Sequence, residues 1–267
     1  MNKFYNKSQH FGSWYKNVEE PKFNWKYIKD FYARNSPFFD DNTNHPWINS
    51  GLKNQTNYKI RYLSHLKLIQ IAFEGSKSAF DWIINFFYFG LFKIKPYKNM
   101  KIIYKTHIGF TKSYKSIQDE LHQQIKDICK NNEVRYIEIF GHSYGGAMSQ
   151  LCLEDLTYHY VEQLESPEMF RNHVPTITAM TIGAPRVFYK VCKKSWERIQ
   201  TRLSRLILVA NVNDLVTHCP PSIVGTKHIL PQYGVGNDKC ANIFKILNPL
   251  KYHIKSNYTK EINKQED

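Results

Sequence analysis

The sequence predicts an α/β protein with a largely parallel central sheet and helices on both faces. Three observations carry this. From residue 67 onward, short apolar runs rich in Ile, Val and Phe alternate with longer segments of helical periodicity. One such run, Val134–Phe140, feeds directly into the glycine-rich turn Gly141-His142-Ser143-Tyr144-Gly145-Gly146 with a helical pattern behind it. The 267 residues are long enough for one large domain and carry 42% apolar residues, enough for a sizeable core.

Taken in order, residues 1–60 are polar and aromatic with weak periodicity and read as an N-terminal segment packed on a main domain at 61–267. Phe23 to Ala33 reads as a helix stopped by Asn35-Ser36-Pro37, and Asp40 to Asn57 as loop. The run 67–73 is a buried strand ended by Gly75. Ser113–Cys129 is a helix, with Ile117, Leu121, Ile125 and Ile128 on one face. Val134–Phe140 is a strand and Ala147–Leu164 a helix. Thr176–Ile182 is a strand, Arg186–Ile199 a helix and Arg205–Ala210 a strand.

The charge balance is 37 − 23 = +14. Such an excess can attract nucleic acid or anionic lipid. The basic residues are spread along the chain and no nucleic-acid motif accompanies them, so a solvated basic surface is expected and no nucleic-acid partner. The five cysteines, Cys129, Cys152, Cys192, Cys219 and Cys240, are odd in number and widely spaced, with no CxxC. Free thiols are expected, with neither a disulfide framework nor a zinc site. No apolar run reaches transmembrane length. The opening Met1-Asn2-Lys3-Phe4-Tyr5 starts no signal-like apolar region, so an intracellular location is the default expectation.

Gly141-x-Ser143-x-Gly145 between a strand and a helix is the pattern of a nucleophile elbow. The sharp turn strains the backbone at Ser143, and a Cβ at Gly141 or Gly145 would collide with the neighbouring strand or helix. The serine hydroxyl is then presented above the carboxyl end of the sheet, at a helix N-terminus that favours developing negative charge.

Gly141-His142-Ser143-Tyr144-Gly145-Gly146-Ala147 resembles the G-H-S-L-G-G-A elbow of the class 3 (fungal-type) lipases, which have an α/β-hydrolase fold. The likeness extends over much of 67–258. Ile71-Ala72-Phe73-Glu74-Gly75-Ser76, followed by Asp81-Trp82, resembles the family's F-R-G-T/S segment with its D-W. His107-Ile108-Gly109-Phe110 resembles its H-x-G-F, and Thr181-Ile182-Gly183-Ala184-Pro185-Arg186-Val187 its T-F-G-x-P-R-V. Tyr144 stands in place of the usual leucine and Glu74 in place of the usual arginine. The first 60 residues match no family motif.

A serine hydroxyl needs a base and an orienting carboxylate. In α/β-hydrolases these follow the serine in the order acid, then histidine. Asp214, just past the strand ending at Ala210, stands near the same rim as Ser143 and resembles the acid of the family's N-x-x-D-x-V. Glu154 and Asp155 lie on the helix behind the serine, and Asp238 matches no motif. Two histidines follow, His228 and His253. The resemblance to H-x-x-x-x-Y implies His253 as the base and makes His228 structural. It likewise makes His142, beside the nucleophile in the elbow, structural, and His107 a positioning residue. The oxyanion donors it implies are the backbone N–H of Tyr144 and Ser76, by its backbone N–H and hydroxyl.

The resemblance implies a serine-dependent ester hydrolase acting on lipids through an acyl-enzyme, with a lipid ester as substrate and no metal or cofactor. Alternatives are a phospholipase A1 or general esterase with the same triad, or a silent lipase-like binding or scaffold protein. Residues 80–92 hold seven aromatics in thirteen positions. They read either as a core helix or, by the resemblance, as a mobile lid; the basic stretch 93–98 behind them suits transient contact with an anionic lipid surface.

Overall fold

The computed structural model describes residues 23–49, 56–75, 93–94, 105–164, 167–171, 173–189, 197, 199–230, 232–236 and 252–266. Ser76, the aromatic stretch 80–92, Cys192, Asp238 and Cys240 lie outside them. Helix α1 (Trp25–Asp40) is followed by strands β1 (Ile48–Asn49), β2 (Asn57–Leu63), β3 (Leu68–Phe73), β4 (Lys93–Ile94) and β5 (Lys105–His107). Helix α2 (Ile108–Asn131), β6 (Tyr136–His142) and helix α3 (Tyr144–Leu156) come next. Then follow β7 (Thr176–Ile182), β8 (Phe188–Tyr189), β9 (Ser204–Asn211), β10 (Thr226–Lys227), β11 (Tyr233–Val235) and helix α4 (Lys255–Asn263).

Among the described residues the main sheet has the order β1-β2-β3-β6-β7-β9-β11. The pairs β3/β6, β6/β7, β7/β9 and β9/β11 are parallel, and β1 and β2 form an antiparallel edge. A small antiparallel sheet, β10-β8-β5-β4, lies apart from it. The period of two along each strand sorts its residues between two cores. Ile137, Ile139, Ile177, Ala179, Leu206 and Leu208 pack with Ile117, Leu121 and Ile125 of α2 and Met148, Leu151 and Cys152 of α3. Phe140, Met180, Ile182, Ile207 and Val209 face the other way, onto Trp25, Ile28, Phe31 and Tyr32 of α1 and Tyr258 and Ile262 of α4. Both faces are covered, which explains why the central strands read as unbroken apolar runs.

Several elements differ from the sequence expectation. Helix α1 does not stop at Asn35-Ser36-Pro37 but runs on to Asp40. Pro37 lies in the last turns, where its missing N–H removes one backbone bond, and Phe38 beyond it is buried at 1% exposure. Asn35 is held inside the interface: its Nδ2 donates to Glu138 Oε2 at 2.7 Å, and its Oδ1 accepts from Gln70 Nε2 at 2.9 Å. The loop expected over 40–57 contains β1. Arg186–Tyr189 is not helical; Arg186 donates to the carbonyls of His218 and Pro220 at 2.8 and 3.0 Å, and Phe188–Tyr189 forms β8. A buried cation tied to two carbonyls pins the chain extended there. Helix α3 begins three residues earlier than expected and passes at its far end into a π-helical turn, Thr157–Glu162. Cys129, Cys152 and Cys219 are buried free thiols.

Candidate active site

Strand β6 ends at His142, and Ser143 follows with φ 58° and ψ −125°. This is a left-handed conformation that a β-carbon resists, so the surroundings must hold it. They do: the Ser143 N–H donates to the Ile182 carbonyl at 3.0 Å, and the Ser143 carbonyl accepts from Gly146 N–H at 2.9 Å. A Cβ on Gly141 would lie 2.2 Å from the Gly145 carbonyl oxygen, and one on Gly145 2.2 Å from the Phe73 carbonyl oxygen. Only glycine fits at either place, so the steric argument made from the sequence holds.

Asp214 follows β9 and is fully buried. Its Oδ1 accepts from the Val216 N–H at 2.9 Å. Its Oδ2 accepts from His253 Nδ1 at 2.8 Å and from the Tyr258 hydroxyl at 2.6 Å. The Tyr258 hydroxyl in turn accepts from the Asn211 N–H at 2.9 Å. The opposite imidazole nitrogen, His253 Nε2, and the Ser143 hydroxyl are both buried with no hydrogen-bond partner among the described residues. Water-shielded polar atoms without partners are uncommon and need a reason. An imidazole nitrogen and a hydroxyl in this state can each still bond a further group.

His142 packs against His253. Its ring stacks on that of His253 at 4.8 Å, and its Nε2 donates to the His253 carbonyl at 2.7 Å. Burial, reinforced by the neighbouring His253, pushes the His142 imidazole down to about 3. His228 is engaged elsewhere: its Nε2 donates to the Thr217 carbonyl at 2.7 Å, and burial pushes it down to about 3. The imidazole on Asp214 is thus that of His253. His107 caps α2, its Nδ1 accepting from the Gly109 N–H at 3.2 Å, and burial pushes it down to about 4.

These three imidazoles are neutral when folded and take up protons near pH 6.5 when unfolded. The unfolded chain therefore binds more protons below that pH, so stability is complete above about 6.5 and falls as the pH drops toward 4. Each histidine contributes up to about 1.4 kcal/mol per pH unit in that window. Urea unfolding at pH 7.5 and pH 5.0 is expected to differ by at least about 3 kcal/mol. Equal stabilities would mean the three rings are solvated.

Tyr144 opens α3, and its backbone N–H belongs to the first helical turn, which has no acceptor within the helix. Its hydroxyl shares a hydrogen bond with Thr56 Oγ1 at 3.2 Å, a tie that the leucine of the family motif would lack. Ser76 lies outside the described residues. Gly75 before it adjoins the elbow, since a Cβ there would lie 3.9 Å from Ser143 Cβ. Glu74 accepts a hydrogen bond from Asn57 Nδ2.

Two residues of this arrangement carried no role in the sequence reading. One is Tyr258, although it ends the H-x-x-x-x-Y spacing. The other is Gly183, whose φ is +60°. A Cβ there would lie 2.9 Å from Asp214 Oδ2 and 3.2 Å from His253 Nδ1. Gly183→Ala is expected to leave a folded protein whose ester hydrolysis falls about 10²-fold, because an approach of about 1 Å displaces the acid–base pair. Unchanged kcat in the variant would show that the pair tolerates the shift.

An elbow serine at the carboxyl edge of a mostly parallel sheet, with an acid and a histidine on later loops, defines an α/β-hydrolase. The family model for class 3 lipases matches residues 70–224, more than half of the chain. The protein belongs to the class 3 lipase family. A lipase of Rhizomucor miehei is 30% identical over 169 residues, which cover 63% of this chain and 42% of that protein. A phospholipase A1-II 5 of Oryza sativa is 25% identical over 140 residues, 52% of this chain and 29% of that one. The chain thus spans less than half the length of these relatives. Among solved structures, a triacylglycerol lipase whose catalytic centre is described as a serine protease triad superposes with a TM-score of 0.62. Its identity is 22%, and the match covers 86% of this chain and 92% of that one.

Proposed function

We propose that the protein hydrolyses carboxylic esters of lipids through an acyl-enzyme on Ser143. The observation that carries this reading is the buried Asp214–His253 pair, whose outer nitrogen, like the Ser143 hydroxyl, has no hydrogen-bond partner among the described residues. Ser143 Oγ attacks the ester carbonyl while its proton passes to His253 Nε2. Asp214 keeps the proton on His253 Nδ1 and stabilises the imidazolium that forms. The oxyanion is received by the backbone N–H of Tyr144 and by Ser76. His253 then protonates the departing alcohol. Water, deprotonated by the same nitrogen, releases the fatty acid and restores the serine. No step calls for a metal or cofactor.

A lipid surface is the partner this reading favours. Leu215, next to Asp214, and Ile254, next to His253, are 39% and 53% exposed, so apolar side chains flank two members of the site. The similarity to a phospholipase A1 keeps phospholipid beside triacylglycerol as substrate.

A fluorophosphonate probe with peptide mapping tests the chemistry. Stoichiometric labelling of Ser143 is expected, with fatty acid released from emulsified triacylglycerol or from phosphatidylcholine vesicles according to head-group preference. A folded protein that takes no label and releases no acid would instead be a silent lipase-like domain.

A further inference from the structure

At the far end of α3 from Ser143, about 18 Å along the helix at 1.5 Å per residue, a second constellation surrounds a carboxylate the reaction does not use. Asp155 is fully buried. Its Oδ2 accepts from His122 Nε2 at 2.7 Å and from the Tyr114 hydroxyl at 2.7 Å. Its Oδ1 accepts from Gln118 Nε2 at 2.6 Å and lies 3.3 Å from His159 Nε2. One ligand atom from each of His122, Asp155 and His159 falls within 4.8 Å of the others. We propose that His122, Asp155 and His159 form a divalent-metal site, with Zn²⁺ its preferred ion, that clamps α2 to the turn following α3.

Four features support this. Two imidazoles and a carboxylate are a donor set suited to zinc, with a fourth position left for water. Tetrahedral bonds of about 2.0–2.1 Å set ligand atoms about 3.3 Å apart. Asp155 Oδ1 and His159 Nε2 stand at that spacing, while His122 Nε2 lies 2.7 Å from the other carboxylate oxygen, so the three ligand atoms, now within 4.8 Å of one another, must shift to share one ion.

The second feature is the other edge of His122. Its Nδ1 is 2.5 Å from the Tyr160 hydroxyl. A hydroxyl donates or accepts equally well, so His122 can move its proton from Nε2 to Nδ1 when Nε2 takes a metal, without losing that bond.

Third, His159 sits in the π-helical turn Thr157–Glu162, closed by the Gln163 N–H on the Tyr158 carbonyl at 2.9 Å. Such turns are rare and recur at functional sites. Fourth, the side chains of His122 and His159 are 15% and 22% exposed, so an ion and its water have a route in.

The test uses the full chain after treatment with chelator and dialysis, titrated with Zn²⁺ against a chromogenic chelator. One equivalent is expected to bind with micromolar or tighter affinity and to raise Tm by about 5 °C or more at saturation. His122→Asn and His159→Asn are each expected to weaken binding at least tenfold, with Ser143 still labelled by the fluorophosphonate. On the unaltered protein, Zn²⁺ is expected to protect His122 and His159 from diethyl pyrocarbonate, and Co²⁺ to give the intense visible bands of a tetrahedral site. Absence of binding at 100-fold excess Zn²⁺ over protein would overturn the proposal. So would binding that both variants retain, or protection that maps to other histidines. Esterase activity enters none of these readouts, so this site and the proposed hydrolysis stand or fall separately.

Discussion

Ser143→Ala is expected to lower kcat/KM for a short-chain p-nitrophenyl ester by about 10⁴-fold or more. On the proposed mechanism the substitution removes the attacking oxygen, and with it both the acyl-enzyme and the two-step route. At 1.36 kcal/mol per factor of ten, the loss corresponds to about 5.5 kcal/mol of transition-state stabilisation. What persists is the residual rate from bound substrate and oxyanion donors. Stability should hold, because Ser143 Oγ has no hydrogen bond to lose among the described residues and the backbone bonds that fix the elbow remain. Alanine meets the same positive φ that serine already tolerates. Turnover within tenfold of the parent, in a variant with unchanged urea midpoint, would remove Ser143 from the mechanism.

His253→Ala should cost as much as loss of the serine, and the double variant little more than either alone, since in the proposed mechanism nucleophile and base act as one unit. Asp214→Asn is expected to cost about 10⁴-fold in kcat. The reason lies in the hydrogen bonds around the carboxylate. Oδ2 receives two donors, His253 Nδ1 and the Tyr258 hydroxyl, and Oδ1 receives the Val216 N–H. An asparagine NH₂ at Oδ2 confronts the imidazole N–H and drives its proton to Nε2, where it cannot accept from serine. Flipping the amide sets the NH₂ against the Val216 N–H instead. Either orientation opposes donor to donor, so some stability is lost as well. His228→Ala is the control: it removes the bond to the Thr217 carbonyl and should lower stability while leaving kcat within a few-fold. Abolished activity in a folded His228→Ala, with His253→Ala still active, would reverse the two histidines.

Much of the main sheet could be read from residue order because its central strands are buried on both faces. Thr176–Ile182 coincides with β7, and the runs at 67–73, 134–140 and 205–210 match β3, β6 and β9 to within a residue or two at each end. Polar residues that the tertiary structure buries hid the rest. In β2, Lys59 is 1% exposed, its ammonium donating to the Asp41 carbonyl at 2.7 Å and lying 4.2 Å from the centre of the Trp47 ring. Tyr58, Ile60 and Tyr62 alternate with Lys59 and Arg61 as in a strand with one wet face, yet the burial of Lys59 breaks that simple inside–outside pattern. Asn35 and Pro37 signal a helix end in isolation, yet Glu138 and Gln70 on the sheet satisfy the asparagine, and Phe38 gains a core contact by continuing. Arg186 turns a helical pattern into extended chain by reaching two carbonyls more than thirty residues away.

Residue order alone specifies the elbow at Ser143, the parallel α/β plan and the shortlist of acids and bases. Each follows from local sterics, side-chain period or chain order. It left His228 and His253 as alternatives on chemistry alone, because both are imidazoles downstream of Asp214. Which ring meets the carboxylate depends on the packing of distant segments. That required α4 to return to the sheet, with Tyr258 buried against β9 and bonded to Asn211 and Asp214, which brings His253 beside Asp214 across 39 residues. The same is true of Gly183, whose lack of a side chain matters only because two others fill its space. It holds too for His122, Asp155 and His159, which two helices and a π-turn bring together. Contacts between distant segments depend on how whole elements pack, and no local pattern encodes them.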